Sequence, residues 1–311
     1  MPSACAHRLP GNKSLPAPRA ETLDAKAVRA SLKPLSGDAN KDTRGRVLVV
    51  GGSLRYAGAL LLTCRAALRC GAGVVTAATA HTVGEAVIGM DPNVTLLPLA
   101  ESQPGAVAVG AAAQVAQFLS ERIRAMVVGP GLAHATGADE FVLAVLRNAR
   151  AIPTIVDADG LNALARSEDW SKVLPQKCVL TPHDGEAARL TGQVVPKGAQ
   201  RAGFAERAAT EWKCVVVLKG PTTVVTDGKK TFLHDAPNAA LGVGGSGDAL
   251  AGAIGAFLAR GLAPLPAAAA AVWVHGRAGA LLAGEIGQTG ALASDIVDAL
   301  PRAVREVVEG R

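Results

Sequence analysis

Arg46-Val47-Leu48-Val49-Val50-Gly51-Gly52-Ser53 is an apolar run closed by two glycines and a serine, the pattern of a buried parallel strand running into a loop. An alanine-rich apolar segment at 58–70 follows as a helix, and Gly73-Val74-Val75-Thr76-Ala77-Ala78 reads as the next strand. Strand, helix, strand in this order requires a right-handed crossover and a parallel sheet. The alternation continues with helix 81–89, strand 94–98, helix 111–122, strand 125–129, helix 137–149, strands 154–156 and 178–180, helix 198–212 and strand 215–218. Asp227-Gly228 marks a hairpin turn between short strands near 223–226 and 230–234. Helices near 246–260, 265–283 and 292–308 follow. The expected fold is therefore α/β, with a mostly parallel central sheet and helices on both faces, in one domain over residues 21–311. A short helix is expected between 21 and 30, a loop over 33–45, and a disordered tail over residues 1–20, where four prolines break any periodicity.

At 311 residues the chain is long enough to bury a substantial core, which aliphatic side chains must fill because aromatics make up only 3%. The net charge of +6 is unevenly placed, since residues 1–46 carry nine Lys/Arg against four Asp/Glu. No basic, aromatic-interleaved face recurs in the remainder, so a nucleic-acid partner is not expected. Five cysteines at 5, 64, 70, 178 and 214 form no C-x-x-C pair and read as buried reduced thiols. No apolar run has the length of a membrane span, and the N-terminus lacks a secretory apolar region. A cytoplasmic location is the expectation.

The densest chemical signal is Asn238-Ala239-Ala240-Leu241-Gly242-Val243-Gly244-Gly245-Ser246-Gly247-Asp248-Ala249-Leu250-Ala251-Gly252. Its glycines allow positive φ and close approach of a ligand. A helix beginning at Ser246 would aim free N–H groups and the positive end of its dipole at an anion, phosphate above all, with Asp248 in the first turn. The bland alternative is a flexible turn whose acid merely complements the dipole. A Walker or Rossmann loop fits worse, because no Gly-Lys-Ser/Thr ending is present and no G-x-G-x-x-G runs directly out of an expected strand into a helix.

Nearly every strand ends in Gly, Pro, Asp, His or Lys, and the C-terminal edge of an open parallel sheet is where ligands bind. Segments 51–53, 129–131, 157–162, 181–186 and 219–223 should line one crevice beside the 242–248 loop. Singly, each residue has a plainer reading. Lys219 reads equally as a snorkelling surface lysine, His183 as a helix cap or core histidine, Glu186 as a dipole partner, and Asp157 and Asp159 as turn formers. Together they suit phosphoryl transfer: an anion hole at Gly245, Ser246 and Gly247, Asp248 as base, and Glu186 holding Mg²⁺ through water.

Several stretches together resemble the nucleotide-dependent NAD(P)H-hydrate dehydratases of the ribokinase-like superfamily. They are 45–53 with Tyr56-Ala57-Gly58-Ala59, 70–76, Gly129-Pro130-Gly131-Leu132, Asp157-Ala158-Asp159-Gly160-Leu161-Asn162, Thr181-Pro182-His183-Asp184-Gly185-Glu186, Lys219-Gly220-Pro221-Thr222-Thr223 and Gly244-Gly245-Ser246-Gly247-Asp248. The resemblance implies a ribokinase-like three-layer sandwich and a metabolite-repair lyase. Such an enzyme phosphorylates the 6-hydroxyl of the (S)-form of hydrated NADH or NADPH with ADP and then eliminates phosphate, giving AMP. It implies Asp248 as the catalytic base, Ala59, Gly131, His183 and Asp248 as contacts to the hydrated dinucleotide, and Lys219, Gly220, Pro221, Thr222, Thr223 and Gly247 as the adenine nucleotide site. It further implies a homotetramer and, since only the tail precedes residue 21, an epimerase of the same pathway as a separate protein. The rival within the superfamily is a kinase of vitamin precursors, whose product keeps the phosphate.

Overall fold

The computed structural model describes residues 20–119 and 122–310. The chain runs β1 (Glu21–Thr22), α1 (Ala25–Ser31), β2 (Arg46–Val50), α2 (Ala57–Arg69), β3 (Val74–Ala80), α3 (His81–Met90), β4 (Thr95–Leu99), β5 (Glu101–Gln103), β6 (Ala106–Val107), α4 (Ala112–Phe118), β7 (Ile123–Val128), α5 (Ala138–Asn148), β8 (Thr154–Val156), α6 (Asp159–Ala165) and β9 (Cys178–Leu180). It continues through α7 (Asp184–Thr191), α8 (Gln200–Trp212), β10 (Val215–Leu218), β11 (Thr222–Thr226), β12 (Thr231–Asp235), α9 (Ser246–Ala259), α10 (Pro264–Ile286) and α11 (Ala293–Glu309).

Ten strands form one sheet in the order β1-β12-β11-β10-β9-β8-β7-β2-β3-β4. The six neighbour pairs from β10 to β4 are all parallel, and only β11 is antiparallel to its neighbours. This is the expected mostly parallel sheet. Helices α2, α9, α10 and α11 pack on one another over one face, while α4 to α7 make successive contacts over the other and α8 covers β10 and β11. Three layers result. Both faces being covered explains why β2, β8, β9 and β10 are almost unbroken runs of buried Val, Leu and Ile.

The order reverses between β2 and β7, whose sequence neighbours β3 and β8 lie on opposite sides. The loops after these two strands therefore meet at a switch point, where Gly52 N–H donates to Pro130 O at 2.8 Å. Helix α9 crosses beneath this point, packed on α2, β7 and β2. Its Gly252 lies against the backbone of Thr63, where any side chain would collide. That close approach fixes the depth of α9 and with it the place of its first turn.

Three expectations need correction. Residues 21–30 hold a two-residue strand paired to β12 ahead of α1. Helix 111–122 is shorter, ending at Phe118, and its expected last turn reaches positions 120–121, outside the described residues. Segment 159–165 is a helix, although the sequence reads only as a strand end there. The tail expected over 1–20 lies outside the described residues but for its last position, as does Cys5. The other four cysteines are free and buried. Among the described residues no helix is long and apolar enough to cross a membrane.

Candidate active site

The 242–248 loop, the β10–β11 turn and the ends of β8 and β9 enclose a cleft of about 720 Å³. Asp157, His183, Lys219, Gly220, Pro221, Thr223, Gly245, Ser246, Gly247 and Asp248 all line it. The juxtaposition follows from the sheet. A parallel bridge pairs His183 with Lys219, and Lys219 N–H donates to Pro182 O at 2.8 Å, so two segments far apart in sequence leave neighbouring strands side by side.

Helix α9 begins as expected, with Gly245 as its N-cap at φ 94° and Asp248 in the first turn. Of the four glycines in the loop only Gly245 takes positive φ, so the expectation of a generally left-handed loop narrows to one position. Gly247 serves by being bare: a side chain there would start 3.2 Å from Lys219 Nζ. Because the cap residue carries no side chain, no side chain among the described residues takes the first-turn N–H groups. That of Ser246 donates to Val243 O at 3.2 Å, which removes it from the expected anion hole, while those of Gly247 and Asp248 stay open, as an anion site requires.

Asp157 is 1% exposed. Its Oδ1 accepts from Thr181 Oγ1 at 2.7 Å and from Lys219 Nζ at 2.8 Å. Lys219 is thus no snorkelling surface lysine. Burial alone would favour its neutral form, yet the carboxylates of Asp157, Glu186 and Asp248 outweigh it and push its pKa up, keeping the ammonium charged. The pKa of Asp248 is raised as well, which for a carboxyl favours the neutral form. Burial raises its carboxyl to about 7, the charge of Asp157 adds to the rise and Lys219 opposes it. Its carboxylate has no hydrogen-bond partner among the described residues.

His183 is the N-cap of α7, its Nδ1 accepting from Gly185 N–H at 2.9 Å and Glu186 N–H at 3.3 Å. An accepting Nδ1 leaves the proton of the neutral ring on Nε2. Burial and then Lys219 lower the ring pKa, so His183 offers the cleft a neutral N–H donor, and capping does not exclude contact with a ligand. Glu186 completes the capping box, its Oε2 accepting from His183 N–H at 2.9 Å, with Lys219 Nζ at 3.8 Å. Its dipole-and-cap role is thus realised. Burial raises its carboxyl pKa against the pull of Lys219.

Not every expected residue meets in this cleft. Thr222 turns its hydroxyl to Asp235 Oδ1 at 2.7 Å and does not line it. Ala59 and Gly131 lie together at the switch point, where a side chain on Gly131 would meet Tyr56 O at 2.5 Å and Ala59 Cβ at 3.0 Å. Asp159 joins the two regions: its Oδ2 accepts from Ala133 N–H at 2.8 Å, and its charge contributes to the shift at Asp248. Between the two aspartates Ala158 sits at φ 50°, ψ −119°. A strained residue at such a place sends Asp157 to Lys219 and Asp159 to the switch point.

Two positions the sequence reading passes over hold this site. Arg201 of α8 is 9% exposed and braces the β10–β11 turn, donating to Lys219 O at 2.6 Å, Thr222 O at 3.2 Å and Asp184 Oδ1 at 2.6 Å. His275 of α10 places Nε2 3.0 Å from Ser246 Oγ. A charged residue amid apolar helix positions is the one sequence signal that marks Arg201, and a histidine within an alanine run is the one that marks His275.

The model of a family described as NAD(P)H-hydrate dehydratase matches residues 47–302. The chain is 39% identical over 289 residues to the ADP-dependent (S)-NAD(P)H-hydrate dehydratase of Xanthomonas campestris, covering 91% of this chain and 96% of that one. It is 36% identical over 290 residues to the bifunctional NAD(P)H-hydrate repair enzyme Nnr of Moorella thermoacetica, covering 92% of this chain and 54% of the relative. The chain therefore spans about half the length of the bifunctional relatives it matches. A solved structure, the ADP/ATP-dependent NAD(P)H-hydrate dehydratase of Bacillus subtilis co-crystallised with ATP and Mg²⁺, is similar with a TM-score of 0.79 at 30% identity, covering 93% of this chain and 99% of that one.

Proposed function

Since the chain belongs to the NAD(P)H-hydrate dehydratase family, we propose that it is an ADP-dependent lyase that returns the (S)-form of hydrated NADH and NADPH to the reduced dinucleotide. The observation that carries this reading is the Asp248 carboxylate: without a hydrogen-bond partner among the described residues, raised to about 7, and set in one cleft with the α9 N-terminus and Lys219. A base poised near neutral pH suits removal of a hydroxyl proton.

In the proposed reaction Asp248 accepts the proton of the 6-hydroxyl as that oxygen attacks the terminal phosphorus of ADP. The phosphorus–oxygen bond to AMP breaks, and the charge on the transferring group is met by the N–H groups of Gly245 and Gly247 and by Lys219. The ring nitrogen then pushes out the phosphate, breaking the carbon–oxygen bond, and loss of the neighbouring carbon's proton restores the double bond. Phosphate leaves where hydroxide would not. Lys219, Gly220, Pro221 and Thr223 hold the nucleotide, with Thr222 supporting the turn. Ala59, Gly131 and His183 receive the hydrated dinucleotide along the line from the switch point to Asp248.

Mg²⁺ fits this donor set. Asp157, Glu186 and Asp248 act on the one ammonium of Lys219, and the charge of Asp157 helps burial to raise the carboxyl pKa of both Glu186 and Asp248, so a hard dication is electrostatically favoured. Among the described residues no three His, Cys, Asp or Glu side chains converge on one point, which suits an ion held by one or two carboxylates, Glu186 through water, with phosphate oxygens completing its shell. When bound, such an ion screens the charge of the nucleotide phosphates.

An epimerase acting on the same hydrates belongs beside this activity. The buried free thiols support a reducing, cytoplasmic setting. A homotetramer rests on the family resemblance alone, because the apolar face of α10 is largely buried within the chain; a monomer in sedimentation would remove it.

The deciding assay incubates the protein with hydrated NADH, ADP and Mg²⁺ and follows the near-ultraviolet absorbance of the reduced nicotinamide ring. Recovery with equal release of AMP and phosphate is expected. Phosphate retained on the product would instead mark a kinase, and no gain over the enzyme-free control would end the dehydratase reading.

A further inference from the structure

Ser246 is the first residue of α9 and lines the cleft beside Asp248. Its side chain is set from a different helix. His275 Nε2 lies 3.0 Å from Ser246 Oγ and 3.1 Å from the Ser246 carbonyl oxygen. A carbonyl oxygen can only accept, so a ring nitrogen held at that distance must carry the proton. The same N–H is then shared between the two oxygens of Ser246. Ser246 Oγ acts as acceptor toward the ring, its own hydrogen is free to turn elsewhere, and Oγ has no other hydrogen-bond partner among the described residues.

We propose that His275 is a positioning residue: by donating its Nε2–H to both oxygens of Ser246, it turns the Ser246 O–H into the cleft as a donor to the terminal phosphate of the nucleotide. With the ring in the other tautomer, Ser246 would spend its hydrogen on His275 and present lone pairs to the phosphate. The environment holds the ring neutral, since burial, helped by His234 and Lys219 and opposed by the hydrogen bond to Ser246, takes its pKa down to about 4. Among the groups facing the ring, no carboxylate stands close enough to reverse this. The inference rests on the nucleotide site assigned above and names the group that fixes its hydroxyl donor.

Two measurements test it on the full-length protein. In ¹⁵N NMR of the wild type at neutral pH, His275 Nε2 should be the protonated ring nitrogen; an unprotonated Nε2 overturns the proposal without reference to any turnover. Calorimetry with ADP and with AMP then reads the hydroxyl. Ser246→Ala and His275→Leu should each weaken ADP about tenfold, the loss of one charge-assisted hydrogen bond, and the double variant should lose no more than either. AMP, which lacks the terminal phosphate, should bind all of them alike, and His275→Gln, which keeps an N–H within reach, should recover most of the loss. Equal weakening of AMP and ADP, or additive losses in the double variant, would reduce His275 to packing. Because binding is read apart from turnover, failure of the dehydratase assay would leave this result standing.

Discussion

Glu186 and Asp248 are each the third residue of a helix that begins at the same edge of the sheet, one in α7 and the other in α9. In α7 the N-cap is His183, and Glu186 bends back to accept its backbone N–H, closing a capping box. In α9 the N-cap is Gly245 in the left-handed region, with no side chain to share the first-turn N–H groups, and Asp248, although at the same position, closes no box. Burial raises the pKa of both carboxyls. The difference lies in what satisfies them. One carboxylate is spent on structure, whereas the other is left at the cleft with an open anion site beside it, and that vacancy of partners is what makes it available as a base.

The largest effect expected from this contrast is at Asp248. Asp248→Asn should lower kcat about a thousandfold, within the range for loss of a general base, with ADP affinity preserved by calorimetry. It should also stabilise the protein. The folded carboxyl keeps its proton up to about 7 against a reference of 3.8, so native stability falls as pH rises through that window and stays low above it. Asn removes the penalty, and at pH 8 the gain should be about 2 kcal/mol in denaturant unfolding once partial exposure is discounted. Loss of stability in this variant would break the contrast, since it would make Asp248 structural as well.

Lys219→Met comes next, because it strands the buried Asp157 carboxylate without its cation. A cost of about 3 kcal/mol in unfolding free energy is expected, together with weaker ADP binding; unchanged ADP affinity would move the nucleotide elsewhere. The pH dependence is gentler. With Asp248 required in its ionised form, kcat/KM should rise about tenfold per unit below pH 7 and level off above it. A profile flat from pH 5 to 8 would detach the reaction from this carboxyl. The smallest effect belongs to Glu186. Glu186→Ala should cost about 1 kcal/mol as a lost cap, whereas Glu186→Gln, which can still accept from His183 N–H, should cost little in stability. If Glu186 also steadies the dication, the Gln variant will need more Mg²⁺ for half-maximal rate.

Much of the fold was legible because buried parallel strands announce themselves. Val47 to Val50, Cys178 to Leu180 and Val215 to Leu218 are continuous apolar runs ending in polar or glycine-rich turns; the turns after the last two line the cleft, and the turn after Val50 forms the switch point. Local pattern failed where structure depends on something remote. Segment 159–165 begins with Asp-Gly and reads as a turn, but the strained Ala158 starts a helix there. The β5–β6 hairpin is too short for periodicity, and β1 exists only because β12 offers it an edge. In the site, Asp248 and Lys219 were readable from their neighbours. The partnership of Lys219 with Asp157 across 62 positions was not, and neither was the bracing by Arg201, since no sequence spacing encodes contacts between distant strands. Glu186, expected to serve a metal, is first of all a cap. That role follows from the Nδ1 of His183, which sequence alone leaves undetermined.

The most direct test of the central claim is the single-turnover rate of the Asp248→Asn protein, saturated with ADP and Mg²⁺ and mixed with hydrated NADH, beside the wild type under the same conditions. Recovery of reduced NADH and release of AMP should both be about a thousandfold slower in the variant while ADP still binds with wild-type affinity. A variant that turns over at a rate comparable to the wild type would contradict the assignment of the free carboxylate as the base.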